Sequence, residues 1–343
     1  MNRIELKYSP YLLKLISPFE TSAGIITERR GLIIVLQSNS GNNGIGDAAP
    51  FPELGTETYD QALTAIDNID VNFKIELSNI ERSFDDFFLP INGLPSLRHG
   101  IEQAFLNLIS KEKNITLNRI LNRASKKEIK VNAVVGILPL TETIDMVKRF
   151  VQQGFNTIKL KAGRKSFKED MEVVKAIRNN CSEELKIRID VNGKWSLDEA
   201  AENMKSLEPL HLEYVEQPVK SINELAQLSN QTSVPIAADE SVRNLNDAAE
   251  IISGKAARYL ILKPMMLGGI IHTLKVIKLA EENGIKCIIS SSFESLIGRS
   301  FAAFAASLVN HNLAHGLDTG RYFEKDLTEN PYPIANGRIN FSK

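Results

Sequence analysis

A regular alternation of short apolar segments and amphipathic segments runs through the chain from about residue 130 onward. The apolar segments of strand length are residues 130–136, 155–162, 185–191, 212–217, 235–240, 258–264, 285–291 and 313–319. The stretches between them, such as SLDEAAENMKSL, carry apolar residues at helical spacing. One strand per repeat implies parallel pairing with right-handed crossovers. Eight strands separated by seven helices therefore predict an α/β fold that closes into a TIM-type barrel, with an open doubly wound sheet as the alternative.

The chain before residue 128 lacks this alternation. The apolar segments YLLKLISPFE and GLIIVLQS, with the polar turn NSGNNGIGD, predict a meander of antiparallel strands. The segments TYDQALTAIDNI and LRHGIEQAFLNLIS have helical periodicity. We therefore expect a separate α+β domain over residues 1–127 and a barrel domain over residues 128–319. The tail, residues 320–343, has a short turn and strand signal and is predicted to return to the first domain.

The charge balance and the cysteine content limit the partners and the compartment. The 343 residues carry 41 Lys and Arg against 42 Asp and Glu, so no overall basic field would attract nucleic acid or an anionic membrane. Cys181 and Cys287 are isolated from each other and from other metal ligands, which predicts neither a disulfide framework nor a zinc site. The N-terminal residues lack the apolar core of a signal peptide, and no apolar run is long enough for a membrane helix. We expect a cytoplasmic protein with a small-molecule partner; the sequence indicates no oligomeric state.

Ionisable residues stand at the ends of five consecutive predicted strands, counted from the second. In chain order they are Lys159 and Lys161, Asp190, Glu216, Asp239, and Lys263. One βα unit separates each strand end from the next, so we expect these residues at one level around the mouth of the barrel, where TIM barrels carry their chemistry. Lys159 and Lys161 are two residues apart on one strand, so both side chains point to the same face.

Three carboxylates that converge at this mouth would repel one another unless a cation lies between them. Asp190, Glu216 and Asp239 offer only hard oxygen ligands, which favours Mg²⁺, or Mn²⁺ in its place. Such an ion would acidify the proton next to a bound carboxylate. Lys161 would remove that proton, with its pKa lowered by the neighbouring Lys159. Lys263, across the barrel, would stabilise the anion or serve as a second acid or base.

Each of these motifs alone also has a purely structural interpretation. IKLK is typical of an edge strand with solvated lysines, DVNG and EQP are typical turns after strands, and ADES commonly begins a helix. An edge strand, however, gives no reason for carboxylates to recur at the next three strand ends and for lysine to return at the fourth. The joint pattern therefore favours a functional site.

The motifs at the strand ends resemble those of the enolase superfamily, in the muconate-lactonising-enzyme subgroup with its Lys-x-Lys motif. The resemblance is carried by IKLKAG, RIDVNGKWS, YVEQP, AADES and ILKPMMLGG. The earlier GIGDAAPFPELGTET is similar to the capping-domain segment of these enzymes, where GxGEAxP is usual and Asp47 here replaces the glutamate. The resemblance implies a modified TIM barrel of the (β/α)7β form, with the α+β N-terminal domain as a capping domain over its mouth.

The same resemblance implies a role for each strand-end residue. The implied metal ligands are Asp190, Glu216 and Asp239; the implied catalytic lysines are Lys161, Lys263 and Lys159; the implied orienting groups are Asn192 and Glu240. These roles agree with those expected from the residue types alone. The orienting groups would hold the ligands through hydrogen bonds around the metal.

The ends of the seventh and eighth strands bear on the choice of reaction. IISSSFESLIG at 288–298 and HGLDTG at 315–320 are similar to the corresponding segments of o-succinylbenzoate synthases. That similarity implies a Mg²⁺-dependent lyase of menaquinone biosynthesis. The implied reaction is syn-dehydration of 2-succinyl-6-hydroxy-2,4-cyclohexadiene-1-carboxylate to o-succinylbenzoate through an enediolate. Lys161 would remove the proton and return it to the departing hydroxyl group.

The same region predicts contacts to this substrate and bears on the competing reactions. The expected substrate-binding residues are Ser290, Ser291, Ser292, Glu294, Ser22, Gly24 and Phe51, although the serines also suit a simple loop with a helix cap. N-succinylamino-acid racemisation would use Lys161 and Lys263 as two bases, and both are present. Dipeptide epimerisation is disfavoured, because its usual Asp-x-Asp pair is reduced here to Asp318 with Gly316. A non-catalytic metal-binding or ligand-binding relative would not be expected to retain both lysines and all three carboxylates.

Overall fold

The computed structural model describes residues 3–21, 24–72 and 75–342. Its first part is a three-stranded antiparallel sheet in the order β1-β2-β3, followed by helices. The strands are β1 (Ile4–Thr21), β2 (Gly24–Ser38) and β3 (Asn43–Ala48). The helices are α1 (Tyr59–Ile66), α2 (Ile80–Phe88), α3 (Pro95–Lys113) and α4 (Leu117–Ile120). The expected antiparallel meander is confirmed, whereas α2 is not among the predicted helices.

Strand β3 packs directly on helix α3 because two glycines leave room for the helix backbone. A Cβ atom on Gly46 would lie 1.8 Å from the carbonyl oxygen of Gly100, and one on Gly44 would lie 1.9 Å from that of Ala104. No side chain fits at either distance. The GxG spacing of this segment therefore serves the contact between sheet and helix.

The second part is an α/β barrel in which strands and helices alternate. Its seven-stranded sheet has the order β5 to β11 along the chain, with every pairing parallel. After the short strand β4 (Glu128–Lys130), the barrel strands are β5 (Ala133–Val135), β6 (Thr157–Lys161), β7 (Lys186–Asp190), β8 (Tyr214–Glu216), β9 (Ile236–Ala238), β10 (Tyr259–Leu262) and β11 (Lys286–Ile289). The intervening helices are α5 (Leu140–Gln152), α6 (Phe167–Asn180), α7 (Leu197–Leu207), α8 (Ile222–Ser229), α9 (Leu245–Ser253), α10 (Ile270–Glu282) and α11 (Leu296–Ser307).

The barrel closes through a very short eighth segment. His315 bridges to Val131 and Gly316 bridges to Ser290, both in parallel. The His315 carbonyl accepts from Asn132 N at 2.9 Å, and the Gly316 N–H donates to the Ile289 carbonyl at 2.8 Å. The predicted strand at 313–319 is thus shortened to paired residues at its centre. The (β/α)7β barrel is confirmed, and the open doubly wound sheet is wrong.

The tail contacts both parts of the molecule. Strand β12 (Arg338–Asn340) pairs antiparallel with β4. Phe323 bridges to Leu15 of β1, and Glu324 N donates to the Lys14 carbonyl at 2.9 Å. Within the described ranges, no helix is long and apolar enough to cross a membrane.

Candidate active site

The register of the parallel strands places three of the predicted site residues in one row. Lys161 is the partner of Asp190, and Asp190 is the partner of Glu216, on the adjacent strands β6, β7 and β8. Because partners in register lie side by side, the three side chains leave the sheet at one level. Asp239 and Lys263 follow the last residues of β9 and β10. All five therefore stand at the carboxyl-terminal mouth of the barrel.

The lysines and carboxylates form two sets of ion pairs, one on strands β6 to β8 and one between Lys263 and Asp239. Lys161 Nζ lies 2.8 Å from Asp190 Oδ2, and Lys159 Nζ lies 3.0 Å from the same oxygen. Lys159 Nζ also lies 2.8 Å from Glu216 Oε1. Lys263 Nζ contacts Asp239 Oδ1. The two lysines of β6 thus share one carboxylate oxygen, and their mutual repulsion is offset by Asp190.

Burial and neighbouring charges act in opposite directions on these groups. Burial disfavours the ammonium form of Lys159, but the charges of Asp190 and Glu216 outweigh it and hold the lysine pKa well above its usual value. Burial also disfavours ionised Asp190, but the charges of Lys159 and Lys161 keep its pKa low. Burial, reinforced by the charge of Asp190, raises the pKa of Glu216. Lys263 keeps a raised pKa because the charges of Asp239 and Glu240 outweigh its burial.

Polar neighbours fix the positions of the strand-end groups. Asn192 Oδ1 accepts a hydrogen bond from Lys161 Nζ at 2.8 Å, and its Nδ2 donates to Glu240 Oε1 at 3.0 Å. Asn192 therefore links Lys161 of β6 to Glu240, which follows β9. Gln217 was not among the predicted residues. Its Oε1 accepts from Asp239 N at 2.9 Å, which holds the backbone at the third carboxylate. The signal for Gln217 was its place directly after Glu216 in the EQP motif.

The carboxylate cluster fits a hard divalent cation by its chemistry. Asp190 Oδ1, Glu216 Oε2 and Glu240 Oε2 are all buried, and none of them makes a hydrogen bond. Buried carboxylate oxygens without a partner are costly, and oxygen-only donors are those that Mg²⁺ takes. In the described residues no three acidic, histidine or cysteine side chains already converge to metal-binding distance. The lysine ammonium groups lie between the carboxylates instead.

A cavity of about 80 Å³ opens between these residues and the capping domain. Three aromatic rings pack together in its wall: the Phe19 ring centre lies 5.0 Å from that of Phe293 and 4.8 Å from that of Tyr322. Phe51 also lines the cavity, and its ring lies 4.0 Å from the guanidinium carbon of Arg29. The capping domain thus contributes Phe19 and Phe51 to a wall shared with the barrel.

The three consecutive serines after β11 also line the cavity. Ser291 Oγ lies 2.8 Å from Thr319 Oγ1 and 3.2 Å from the Gly316 carbonyl. Ser290 Oγ makes longer contacts, 3.3 Å to the same carbonyl. Ser292 Oγ is buried and has no hydrogen-bond partner. Ser292 therefore presents an unused hydroxyl group at the cavity.

Two of the predicted substrate contacts, Glu294 and Gly24, lie elsewhere. Glu294 does not line the cavity; its carboxylate accepts from Ser292 N, and burial raises its pKa to about 7. Phe293 has a φ of 59°, a left-handed value that breaks the alternation of side chains, so the ring faces the cavity and Glu294 does not. Gly24 begins β2 and is likewise outside the cavity wall. Ser22 lies outside the described residues.

Asp318 and Arg321 form a pair at the edge of the eighth segment. Asp318 lines the cavity, and its Oδ2 lies 2.5 Å from Arg321 Nε. Burial raises the pKa of Asp318 to about 6, against the opposing charge of Arg321. Thr319 and Tyr322 of the same turn also line the cavity. The sequence had singled out Asp318 but not the arginine three residues later.

Comparison with known proteins finds one matching family model and several related enzymes. A family model described as enolase C-terminal domain-like matches residues 142–343. The L-Ala-D/L-Glu epimerase of Francisella tularensis subsp. novicida is 27% identical over 330 residues, which cover 94% of this chain and 92% of that protein. The o-succinylbenzoate synthase of Thermobifida fusca is 36% identical over 212 residues, which cover 61% of this chain and 65% of that protein.

Solved structures show the same architecture. A dipeptide epimerase from Enterococcus faecalis, complexed with Mg and the dipeptide L-Leu-L-Tyr, aligns with a TM-score of 0.87 at 25% identity. The alignment covers 100% of this chain and 97% of that chain. Similar proteins therefore include both a lyase and epimerases.

Proposed function

This chain belongs to the enolase superfamily, and we propose that within it the protein is an o-succinylbenzoate synthase. The reaction is the Mg²⁺-dependent syn-dehydration of 2-succinyl-6-hydroxy-2,4-cyclohexadiene-1-carboxylate, a step of menaquinone biosynthesis. Asp190, Glu216 and Asp239 would hold the metal ion. When bound, Mg²⁺ would supply positive charge at the substrate carboxylate and so acidify the adjacent C–H group.

The lysines supply the proton transfers. Lys161 Nζ takes the proton beside the ring carboxylate, the electron pair of that C–H bond forms the new ring double bond, and the C–O bond to the ring hydroxyl breaks. The same lysine returns the proton to the departing oxygen, so the products are o-succinylbenzoate and water. One base suffices because both events occur on one face of the ring. Lys263 stabilises the negative charge that develops on the carboxylate.

The observation that carries this proposal is the combination of serine hydroxyl groups and aromatic rings in the part of the cavity wall away from the carboxylates. The unpartnered hydroxyl of Ser292, beside Ser290 and Ser291, offers hydrogen-bond donors for a second, succinyl carboxylate. The rings of Phe19, Phe293 and Tyr322, tilted against one another, offer an apolar wall for an unsaturated ring. A dianionic substrate with an unsaturated ring matches both features.

Two further observations support the assignment. The segments SSSFES and GLDT, which resemble the corresponding segments of these synthases, stand at the ends of the seventh and eighth barrel segments. The relative from Thermobifida fusca carries that name.

The direct test is conversion of the cyclohexadiene substrate followed by ultraviolet absorbance, with Mg²⁺ present. We expect rapid aromatisation that a chelator stops and added Mg²⁺ restores. A wild-type protein that does not aromatise this substrate would remove the assignment while leaving the superfamily membership intact.

N-succinylamino-acid racemisation is the second candidate, and the placement of the lysines favours it. Lys161 and Lys263 both line the cavity, from strands β6 and β10, so two bases are available for exchange of an α-proton between faces. Dipeptide epimerisation would use the same pair. Deuterium exchange at the α-carbon of N-succinylamino acids and of dipeptides, measured by NMR, distinguishes these reactions from dehydration.

A further inference from the structure

The cavity wall contains one carboxylate outside the cluster of lysines and acids. Among the described residues that line the cavity, the acids are Asp190, Asp239, Glu240 and Asp318. The first three belong to the cluster at the ends of β7 and β9. Asp318 stands apart from them, in the turn that follows the eighth segment. An isolated carboxylate in a partly dry wall would attract an ammonium group.

Arg321 forms an ion pair with that carboxylate. Its Nε lies 2.5 Å from Asp318 Oδ2, and Arg321 itself does not line the cavity. The guanidinium carbon lies 4.7 Å from the ring centre of Phe150 and 5.4 Å from that of Phe155. These cation–π contacts hold the arginine against two rings that, like Arg321 itself, do not line the cavity. The ion pair with Arg321 therefore offsets the charge of Asp318 before any ligand enters.

We infer that Arg321 determines substrate specificity: by neutralising Asp318 it makes this wall unreceptive to ammonium groups and restricts substrates to those whose charges are all carboxylates. The inference rests on the proposed function, whose substrate is a dianion without an amine. An unbalanced Asp318 would repel such a dianion and would attract the free amino terminus of a dipeptide. Arg321 thus acts through Asp318 and does not touch the substrate.

A matched pair of ligands tests the inference. L-Ala-L-Glu and N-acetyl-L-Ala-L-Glu differ in whether the terminal nitrogen is charged, and calorimetry in the presence of Mg²⁺ gives the affinity for each. We expect Arg321→Gln to bind the free-amino ligand about tenfold more tightly than the wild type does, with no gain for the acetylated one. In the dehydration assay the same variant should raise KM about tenfold and change kcat little, because the lysines are untouched.

Further variants separate charge from a merely structural role. Arg321→Lys, which keeps the positive charge, should behave as the wild type. The double variant Asp318→Asn with Arg321→Gln should lose the gain for the free-amino ligand and recover the KM of the dianion. Arg82→Gln breaks an exposed ion pair with Asp86, 3.7 Å long, and is the matched control that should change neither ligand.

The outcomes are distinguishable from those of the proposed function. If Arg321→Gln weakens both ligands equally and the double variant does not recover KM, Arg321 only supports the turn and the inference is wrong. If the wild type fails to aromatise the cyclohexadiene substrate but the ligand preference still changes with Arg321, the proposed function is wrong and the specificity role remains.

Discussion

Lys161 and Asp190 are register partners on adjacent parallel strands, and their charged groups lie 2.8 Å apart. The same Asp190 oxygen also contacts Lys159. The proposed base Lys161 and the proposed metal ligand Asp190 are thus adjacent because their strands pair in register. The residues proposed to bind the metal and the lysine proposed to transfer the proton therefore belong to one rigid sheet. Such a sheet favours precise placement of the reacting groups.

Replacing Lys161 and Lys263, two of the three lysines among the described residues that line the cavity, should affect dehydration to different degrees. Lys161→Ala removes the only acid/base that the proposed mechanism uses, so we expect kcat to fall by about 10³-fold or more. Lys263→Ala removes one electrostatic stabiliser, so we expect a loss of about 10²-fold, partly recovered by Lys263→Arg. Steady-state aromatisation kinetics measure both.

The surface variant Lys168→Ala, on the first turn of α6, is the control for a general loss of lysine. Equal and complete losses in Lys161→Ala and Lys263→Ala, with no recovery by arginine, would contradict a one-base mechanism. That result would instead show that dehydration needs both lysines as acid or base.

Added Mg²⁺ should stabilise the folded protein through the three carboxylates. At a concentration about 100-fold above Kd, a ligand bound only by the native state adds about 2.7 kcal/mol. We expect thermal unfolding to shift upward with Mg²⁺ in the wild type and not in Asp190→Asn or Glu216→Gln. Asp198→Asn, on the exposed first turn of α7, should keep the full shift. A wild type with no shift at saturating metal would count against the site.

A methyl group at the contact between β3 and α3 should be strongly destabilising. The Cβ of Gly46→Ala would lie 1.8 Å from the Gly100 carbonyl oxygen, so backbone must move. We expect the free energy of unfolding to fall by about 3 kcal/mol or more. Gly93→Ala meets nothing within 4 Å and should change it by less than about 0.5 kcal/mol. Urea denaturation compares the two; similar stabilities would show that the capping-domain sheet is not packed as described.

The residues predicted from the sequence are those fixed by periodicity. Lys161, Asp190 and Glu216 end strands whose spacing is regular, and parallel pairing then brings their ends to one edge. Side chains beyond a strand end have no such constraint. The left-handed backbone at Phe293 turns Glu294 away from the cavity, and one sequence without a structure does not reveal that turn.

Contacts between distant segments were also beyond sequence reasoning. Phe19 of β1 reaches the rings of Phe293 and Tyr322 only because the capping domain lies over the barrel mouth. The pairing of Asp318 with Arg321 depends on a single turn of 3-10 helix after the eighth segment. Neither the alternation of strands and helices nor the spacing of charges specifies such contacts. The contacts of Phe19 arise from the packing of the two parts, and the Asp318–Arg321 pair arises from the local turn.

A carboxylate of the capping domain is held at the start of a barrel helix. Glu102 of α3 is fully buried, and its Oε1 accepts from the backbone N–H groups of Ile270 and Ile271 at the first turn of α10. Its Oε2 has no hydrogen-bond partner. The two N–H groups favour the ionised form, but burial outweighs them and raises the pKa of Glu102 to about 7.

Glu102→Gln should therefore change how stability depends on pH. The carboxyl of Glu102 has a folded-state pKa above its unfolded value, so the folded state binds the proton more tightly. The stability that this group contributes is present in full below about pH 4.5 and is lost as the pH rises through about 7, a difference of about 3 kcal/mol at most. Glutamine still accepts hydrogen bonds from the two backbone N–H groups but does not titrate, so the variant should lose less stability than the wild type between pH 5 and 8.

Urea unfolding across that range measures the difference, and Glu53→Gln, in the exposed turn after Phe51, is the control. If the free energy of unfolding depends on pH in the same way for Glu102→Gln and the wild type, Glu102 is ionised throughout. The hydrogen bonds from the first turn of α10 would then outweigh the effect of burial on its pKa.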